Sequence, residues 1–255
     1  MTQIETALIL AAGRGTRLRP LTDKLPKPLL PLHGKPIIGY IIDGLILAGM
    51  REIYIVVGYL KEQVQQYIAS RLPQTVQFFL ISQEKMNGTG GATLLAKDLI
   101  NAPFVLTYAD VLISYAAYKR VVKVATRQDR PTHILLANPV EDPSRGAAIY
   151  FKEKSDIVEK IIEKPLPGSS STRWNNAGCY VLFPSIFPDI EATPLSPRGE
   201  VEITGTLQNI IARGEQVIGC RLAPGEFWCD VGYPDIYHKL NSSSKWLATL
   251  SDGTP

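Results

Sequence analysis

Leu10-Ala-Ala-Gly-Arg-Gly-Thr-Arg-Leu-Arg-Pro-Leu-Thr22, followed by Pro26-Lys-Pro28, is the stretch of sequence that decides the fold. It overlaps the end of Thr6-Ala-Leu-Ile-Leu-Ala11, an apolar run that predicts a buried strand. A glycine-rich loop after such a strand is typical of open α/β sheets, where ligands bind beyond the carboxyl ends of the strands. The glycines allow backbone N–H groups to approach a phosphate, and the arginines of the loop could neutralise it.

Two familiar nucleotide-binding motifs are disfavoured by single residues. The dinucleotide fingerprint Gly-x-Gly-x-x-Gly has Leu18 where its third glycine belongs. A Walker P-loop requires Gly-Lys-Ser or Gly-Lys-Thr, and Gly34-Lys35 is followed by Pro36. Gly-x-Gly alone is equally typical of a tight turn. A dehydrogenase is therefore a disfavoured alternative, which a test of NAD binding would decide.

The first half of the chain alternates helical and strand patterns. Helices are predicted at Pro36–Gly49, Lys61–Arg71, Thr89–Leu99 and Ser114–Thr126, and strands at Ile53–Val57, Val76–Ile81 and Phe104–Tyr108. This order is typical of a mostly parallel sheet that is covered by helices.

The second half begins with strands that have no helices between them. These strands are predicted at His133–Asn138, Ala147–Lys152, Ile157–Glu163 and Ala177–Phe183, and helices follow at Val201–Arg213 and Pro234–Leu247. The predicted fold class is α/β: a Rossmann-like three-layer domain with a mostly parallel mixed sheet and a smaller mixed-sheet subregion. Residues 1–255 are predicted to form one domain, with halves of about 1–130 and 131–255.

Composition excludes several classes of protein. The chain has 255 residues, 45% of them hydrophobic, which is enough for a large core. A net charge of +3, from 27 basic and 24 acidic residues, does not indicate a nucleic-acid-binding protein. The sequence shows no secretory signal and no apolar stretch of about 18 residues, so neither export nor a membrane span is expected.

Cysteine and histidine do not indicate a metal site. Cys179, Cys220 and Cys229 are too few and too scattered for a disulfide framework or a zinc site, and reduced thiols in a cytoplasmic protein are predicted. The three histidines lack ligand spacing, so structural or surface roles are predicted for His33, His133 and His238.

The combination of the glycine-rich loop and Pro26-Lys-Pro28 resembles the signature of the sugar nucleotidylyltransferase family. That family includes glucose-1-phosphate thymidylyltransferase, UDP-glucose pyrophosphorylase and mannose-1-phosphate guanylyltransferase. The resemblance implies transfer of a nucleotidyl group from a nucleoside triphosphate to a sugar 1-phosphate, with Mg²⁺ and release of pyrophosphate. It makes the first half of the chain the nucleotide-binding half, and the second the sugar-phosphate-binding half.

The resemblance also assigns residues to the nucleotide. Arg17 and Lys27 are expected to clamp the triphosphate, and Gln83, with the segment that starts at Gly88, to recognise the base. The full nucleotide-binding set is Leu10, Ala11, Ala12, Gly13, Arg14, Gly15, Thr16, Arg17, Gln83, Gly88 and Thr89.

Two aspartates match the metal ligands of the family. Asp110 follows the strand Phe104–Tyr108, although Ala109 stands where the family usually has glycine. Asp230 lies in Trp228-Cys-Asp-Val-Gly232, which matches the Trp-x-Asp-x-Gly motif. Both are expected to bind Mg²⁺, and they join Arg17, Lys27 and Lys164 in the catalytic set that the resemblance implies.

Motifs of the second half resemble the sugar-binding part of the family. Glu163-Lys-Pro165 implies that Glu163 binds sugar hydroxyls and Lys164 the sugar phosphate. The complete set implied is Gly146, Glu163, Lys164, Asn176 and Gly178. Arg198-Gly-Glu200, with Glu202-Ile-Thr204, resembles the helix start of the thymidylyltransferase-like branch.

The sequence does not decide which base and which sugar the protein uses. The amide of Gln83 offers one donor and one acceptor, which suits uracil or thymine but does not exclude other bases. A transferase of dTTP or UTP to glucose 1-phosphate is favoured. The alternatives are a mannose- or heptose-1-phosphate guanylyltransferase, another specificity such as a non-sugar phosphate, and a catalytically silent regulatory homologue. No nucleic-acid or membrane partner is expected, a homo-oligomer is compatible with the sequence, and no hexapeptide-repeat domain is expected.

Overall fold

The computed structural model describes residues 3–70 and 75–251. The strands are β1 (Thr6–Ala11), β2 (Pro31–Leu32), β3 (Lys35–Pro36), β4 (Glu52–Val57), β5 (Gln77–Ser82), β6 (Phe104–Tyr108), β7 (Val111–Ile113), β8 (His133–Pro139), β9 (Ala147–Phe151), β10 (Val158–Glu163), β11 (Trp174–Leu182), β12 (Val217–Arg221) and β13 (Trp228–Asp230). The helices are α1 (Ile37–Leu47), α2 (Lys61–Ser70), α3 (Gly88–Leu94), α4 (Tyr115–Thr126), α5 (Ile186–Ala192), α6 (Ile203–Ala212), α7 (Pro234–Ser242) and α8 (Lys245–Ser251).

A nine-stranded mixed sheet forms the centre of the molecule. Its main path runs in the order β10-β9-β11-β6-β1-β4-β5, and β8 pairs with both β11 and β12. Strands β6, β1, β4 and β5 are parallel, whereas β11 is antiparallel to β6, β8 and β9. The predicted α/β class and mixed sheet are confirmed, with the antiparallel pairs in the second half as the sequence indicated.

The two faces of this sheet belong to different apolar clusters. Along β1, Ala7 and Ile9 pack in the cluster of α1 and α4, whereas Leu8 packs in the cluster of α3, α5 and α6. Successive strand side chains point to opposite faces, so a strand buried on both sides shows a continuous apolar run rather than alternation. Full burial of an Ile or Leu side chain stabilises the fold by about 1.5–3 kcal/mol. These clusters account for the three layers.

Strand β1 lies where the connections change direction. From β1 the chain passes through α1 to β4 on one side, and β6 pairs with β1 on the other side. In parallel α/β sheets this reversal opens a crevice beyond the carboxyl ends of the two strands. The glycine-rich loop therefore begins at the mouth of that crevice.

A second, two-stranded sheet pairs distant parts of the chain. Strands β7 and β13 are antiparallel, and Asp230 lies opposite Val111. The N–H of Val231 donates to the carbonyl of Asp110 at 2.9 Å. Neither strand was predicted, because three residues are too few to show a periodicity.

The prediction of one helix over Pro234–Leu247 is wrong. The chain leaves helical geometry at Ser243, which has φ −148° and ψ 132° and separates α7 from α8. The hydroxyl of Ser243 accepts a hydrogen bond from the N–H of Lys245 at 3.3 Å. Short hydroxyl side chains that bond to nearby backbone groups compete with the helix in this way.

Other differences concern short elements. Strand β12 and helix α5 were not predicted, and the helix predicted over Thr89–Leu99 ends at Leu94 and continues as tight turns. Leu95 and Leu99 are exposed, so no packing enforces a longer helix. The predicted helix Lys61–Arg71 corresponds to α2, with Arg71 outside the described residues. Among the described residues, no helix is long and apolar enough to span a bilayer.

His133 is buried on β8 and takes part in the packing of the sheet. Its Nδ1 accepts a hydrogen bond from the backbone N–H of Phe183 at 3.3 Å, and its ring packs edge-on against the ring of Phe183. Burial lowers the pKa of His133 to about 4 from its ordinary 6.5. The neighbouring Asp189 and Glu215 oppose this shift, and Arg213 adds to it.

The burial of neutral His133 predicts an acid-dependent loss of stability. The unfolded chain binds a proton near pH 6.5 and the folded chain only near pH 4. The free energy of unfolding should therefore fall by about 3 kcal/mol in total as the pH is lowered through that window. Urea unfolding at pH 7 and pH 4.5 checks this. His133→Asn keeps an acceptor but cannot titrate, so this variant should lose less stability between pH 7 and pH 4.5 than the wild type does. His238 is exposed, so His238→Asn should lose as much as the wild type over the same pH change. Equal losses in all three proteins would contradict the prediction.

Candidate active site

A cavity of about 1020 Å³ lies at the mouth of the crevice beside β1 and β6. This is at the upper end of the range of about 300–1,000 Å³ that is usual for ligand sites. The structure brings together around it every predicted site residue except Arg14, namely Leu10, Ala11, Ala12, Gly13, Gly15, Thr16, Arg17, Lys27, Gln83, Gly88, Thr89, Asp110, Gly146, Glu163, Lys164, Asn176, Gly178 and Asp230. Arg14 is exposed and does not line the cavity.

The glycine-rich loop packs directly on the segment that carries Lys27. Gly15 has φ +62°, and a Cβ there would lie 3.0 Å from Cβ of Lys27. The hydroxyl of Thr22 donates to the carbonyl of Gly15 at 2.9 Å. Pro26, with φ −66° fixed by its ring, leads into the short turn Lys27–Leu29. The turn holds Lys27 against the loop on a stiff backbone.

The ammonium group of Lys27 lies close to the carboxylates of both predicted metal ligands. Its Nζ donates to Oδ2 of Asp110 at 2.6 Å and lies 3.9 Å from Oδ1 of Asp230. Lys27 is 6% exposed, so its ammonium needs these carboxylates as compensation for lost hydration. The pairing of β7 with β13 is what places the two aspartates on the same ammonium.

The carboxylate of Asp230 is only partly neutralised by the cations near it. Burial, and then the negative charge of Asp110, raises its pKa to about 6, while Lys27 and Arg17 act in the opposite direction. Its Oδ1 is buried and accepts no hydrogen bond from the described residues. A buried, unpartnered carboxylate oxygen beside a second carboxylate fits a hard divalent cation. Within the described residues no group of three or more His, Cys, Asp or Glu side chains could hold a metal, so Mg²⁺ there would need further oxygen ligands from substrate or water.

The predicted base-recognition segment is held in place by hydrogen bonds to the second half of the chain. Gln83 is buried, and its Nε2 donates to Oδ1 of Asn87 at 3.0 Å. Two backbone bonds, from Gly90 N–H to Val201 O and from Val201 N–H to Asn87 O, join the segment to Val201. Gly88 has φ +94°, and a Cβ there would lie 2.4 Å from the carbonyl oxygen of Val201.

The residues on the sugar side of the cavity lie around Asn175, a buried asparagine that was not predicted. A Cβ on Gly146 would lie 2.2 Å from Oδ1 of Asn175, which accepts from the N–H of Ala147 at 3.2 Å. The N–H of Lys164 donates to the carbonyl of Gly146 at 2.8 Å, and Lys164 itself has φ +43°. Asn175 directly precedes the predicted Asn176, which was the available signal.

A charged cluster lies beside Glu163. Its Oε2 accepts from the hydroxyl of Thr204 at 2.7 Å, and Arg198 pairs closely with Glu202 while lying 3.5 Å from Oε1 of Glu163. Burial, and then a hydrogen bond with Glu200, raises the pKa of Glu202 to about 7. Glu202 was not among the predicted site residues, although it belongs to the motif Glu202-Ile-Thr204 that resembles a helix start of the family.

Tyr108 and Tyr233 complete the wall of the cavity. The hydroxyl group of Tyr108 lies 3.0 Å from that of Tyr180, and a Cβ on Gly178 would lie 2.8 Å from the ring of Tyr108. Tyr233 contacts the guanidinium of Arg17. Neither cavity-lining tyrosine, Tyr108 or Tyr233, was predicted, although each stands within three residues of a predicted metal ligand.

The family model described as nucleotidyl transferase matches residues 6–245. The chain belongs to the nucleotidyl transferase family.

Curated relatives of this nucleotidyl transferase differ from one another in their names. The bifunctional protein GlmU of Methanococcus maripaludis is 34% identical over 228 residues, which are 89% of this chain and 51% of that protein. The mannose-1-phosphate guanylyltransferase catalytic subunit beta of Drosophila pseudoobscura pseudoobscura is 32% identical over 248 residues, with coverages of 96% and 63%. The chain thus spans about half the length of the GlmU relatives and under two thirds of the guanylyltransferase subunit.

A solved structure extends the similarity to the fold. UDP-glucose pyrophosphorylase in complex with UDP-glucose superposes with a TM-score of 0.85 at 26% identity, over 94% of this chain and 98% of the other. The resemblance stated from the sequence motifs is confirmed at the level of the family.

The close approach of Gly88 to Val201 predicts that this position tolerates no side chain. In Gly88→Ala the added Cβ meets a backbone oxygen, and φ +94° is strained for an L residue. We expect the variant to lose about 2 kcal/mol of stability or more, a fall in Tm of at least roughly 4 °C. Gly13→Ala is the matched control, since a Cβ at Gly13 would meet nothing within 4 Å. Thermal unfolding of both variants tests the prediction, and equal Tm values would contradict it.

Proposed function

We propose that this chain transfers a nucleotidyl group from a nucleoside triphosphate to a sugar 1-phosphate, forms a nucleotide sugar and releases pyrophosphate. The observation that carries the proposal is the convergence of Lys27, Asp110 and Asp230 in one cavity that Lys164 and Glu163 also line. A site with acidic and basic groups together suits a reaction between two phosphate anions and a metal ion.

In the proposed reaction, an oxygen of the sugar 1-phosphate attacks the α-phosphorus in line, and the bond to pyrophosphate breaks. The nucleophile is already anionic near neutral pH, so it needs no general base. The residues act by holding two anions in line and neutralising them. Arg17 and Lys27 bind the triphosphate, and Lys164 binds the sugar phosphate and reduces the repulsion between the substrates.

We propose Mg²⁺ as the cofactor and Asp110 and Asp230 as its protein ligands. The unpartnered Oδ1 of Asp230 and the short contact between Asp110 and Lys27 support a cationic position between these side chains. When bound, Mg²⁺ supplies charge neutralisation at the α-phosphate. Lys27 holds the carboxylate pair in place.

The orientation of Gln83 supports a base that presents an N–H group. One N–H of its Nε2 donates to Asn87, which fixes the orientation of the amide and leaves Oε1 as an acceptor, and the second N–H as a donor, for a ligand. An acceptor pairs with N3–H of uracil or thymine, whereas cytosine and adenine present an acceptor at the corresponding ring nitrogen. We therefore propose UTP or dTTP as the donor. Guanine also presents a ring N–H, and the similarity to a mannose-1-phosphate guanylyltransferase subunit keeps GTP with mannose 1-phosphate as the second candidate.

For the acceptor we propose glucose 1-phosphate. Glu163 and Asn176 line the cavity and carry oxygen and amide groups suited to sugar hydroxyls. We also propose the cytoplasm as the compartment, because Cys179, Cys220 and Cys229 are free thiols in the structure.

Loss of either carboxylate should abolish turnover without unfolding the chain. Asp110→Asn and Asp230→Asn should each lower kcat roughly 100-fold or more, because the Mg²⁺ that the two carboxylates would hold stabilises the charge of the transition state. Pyrophosphate release at saturating Mg²⁺ measures the effect, and circular dichroism checks the fold. Asp156→Asn is the matched control, since Asp156 pairs with Arg221 outside the cavity. Near-normal Mg²⁺-dependent turnover in either site variant would refute the metal assignment.

The base proposal predicts a specificity order and its loss. In the wild type, kcat/KM with glucose 1-phosphate should be highest for UTP or dTTP among the five common triphosphates. Gln83→Ala leaves the N–H of the base unpaired, which costs about 1–3 kcal/mol, so selectivity over CTP should fall roughly 5- to 150-fold. Gln77→Ala, an exposed glutamine on β5, is the control. A wild type that prefers GTP, or unchanged ratios in Gln83→Ala, would overturn the base assignment.

A further inference from the structure

Two guanidinium groups share one aromatic ring at the edge of the cavity. The guanidinium carbon of Arg17 lies 4.8 Å from the ring centroid of Tyr233, and that of Arg145 lies 5.1 Å from the same centroid. All three residues line the cavity, yet they come from three separate segments: the glycine-rich loop, the turn before β9 and the start of α7.

Within the described part of the chain, these two cations are not held in ion pairs with carboxylates. Lys27 is paired with Asp110, and Arg198 is paired with Glu202. Arg17 and Arg145 form no ion pair with any carboxylate of the described residues. Attraction to the face of the ring offsets part of their mutual repulsion, since each such contact contributes about 0.5–2 kcal/mol. An anion that contacts both would remove the remaining repulsion.

Tyr233 lies in the segment that carries Asp230. It directly follows Gly232, where a Cβ would lie 2.9 Å from Oδ1 of Asp230, and its ring contacts Arg17. Both aspartates act electrostatically on Arg17, which the sequence motif assigns to the triphosphate. Arg145 belongs to the sugar-phosphate half of the chain, but its guanidinium is held at Tyr233 together with Arg17.

We propose that Arg17 and Arg145, held on the ring of Tyr233, form a paired anion site for the pyrophosphate part of the triphosphate. Arg145 is then a direct ligand of the leaving group, and Tyr233 is a positioning residue. This inference rests on the proposed nucleotidyl transfer and adds a phosphate ligand that the sequence motifs do not assign.

The test measures both directions of the reaction and the binding of pyrophosphate. Arg145→Gln should raise KM for pyrophosphate and for the triphosphate roughly 10- to 150-fold, the effect of losing a charge-assisted phosphate contact. The KM values for the sugar 1-phosphate and the nucleotide sugar should change by no more than about twofold. Arg127→Gln, an exposed arginine outside the cavity, is the matched control and should keep all four constants.

Variants of Tyr233 separate positioning from packing. Tyr233→Phe keeps the ring face and should retain most of the pyrophosphate affinity. Tyr233→Leu removes the ring face and should raise KM for pyrophosphate roughly 2- to 30-fold. In the double variant Tyr233→Leu/Arg145→Gln the two effects should be less than multiplicative, because both changes remove the same contact.

Several outcomes would overturn the inference. One is an Arg145→Gln enzyme with wild-type constants, and another is one in which only the KM for the sugar 1-phosphate rises. Multiplicative effects in the double variant would also contradict the role of Tyr233. Calorimetric titration with inorganic pyrophosphate and Mg²⁺ does not depend on turnover. It therefore tests the anion site even if the wild type proves inactive, in which case the proposed function fails separately.

Discussion

The contact of the Lys27 ammonium with the carboxylates of Asp110 and Asp230 is the constraint on which the site depends. A nearly buried ammonium is costly unless it is paired, and here the pairing requires three remote segments to arrive at one point. The stiff Pro26-Lys-Pro28 backbone fixes the cation. The backbone bond between Asp110 and Val231 fixes the anions.

The same contact explains why the carboxylates stay close in spite of their repulsion. Burial, and then the like charge of Asp110, raises the pKa of Asp230, and each cation nearby reverses part of that effect. The protein therefore maintains a balance of charge at this point, in which Lys27 provides one positive charge and leaves an oxygen of Asp230 without a hydrogen-bond partner. Our proposals for Mg²⁺ and for the phosphates both follow from this balance.

Sequence patterns predicted the long elements and failed for the short ones. The apolar run of β1 and the helical spacing of α1 are local, so they can be recognised without knowledge of the fold. The pairing of β7 with β13, two strands of three residues, is decided by tertiary contacts that no local pattern contains. The same holds at the site. The motif at Trp228 to Gly232 indicated Asp230, but the position of the Tyr233 ring depends on Arg17 and Arg145, which are distant in sequence.

The pairing of β7 with β13 determines when the two carboxylates can come together during synthesis of the chain. Strands β1, β4, β5 and β6 are contributed by the first part of the chain, and a chain that leaves the ribosome forms such units from its N-terminal end. Asp110 emerges with this part, but its partner carboxylate arrives more than a hundred residues later, on the last strand before α7 and α8. A nascent or truncated chain that lacks β13 can hold one carboxylate on Lys27 but never two. The carboxylate pair therefore forms only after synthesis has passed Asp230, which keeps shorter chains from assembling the centre.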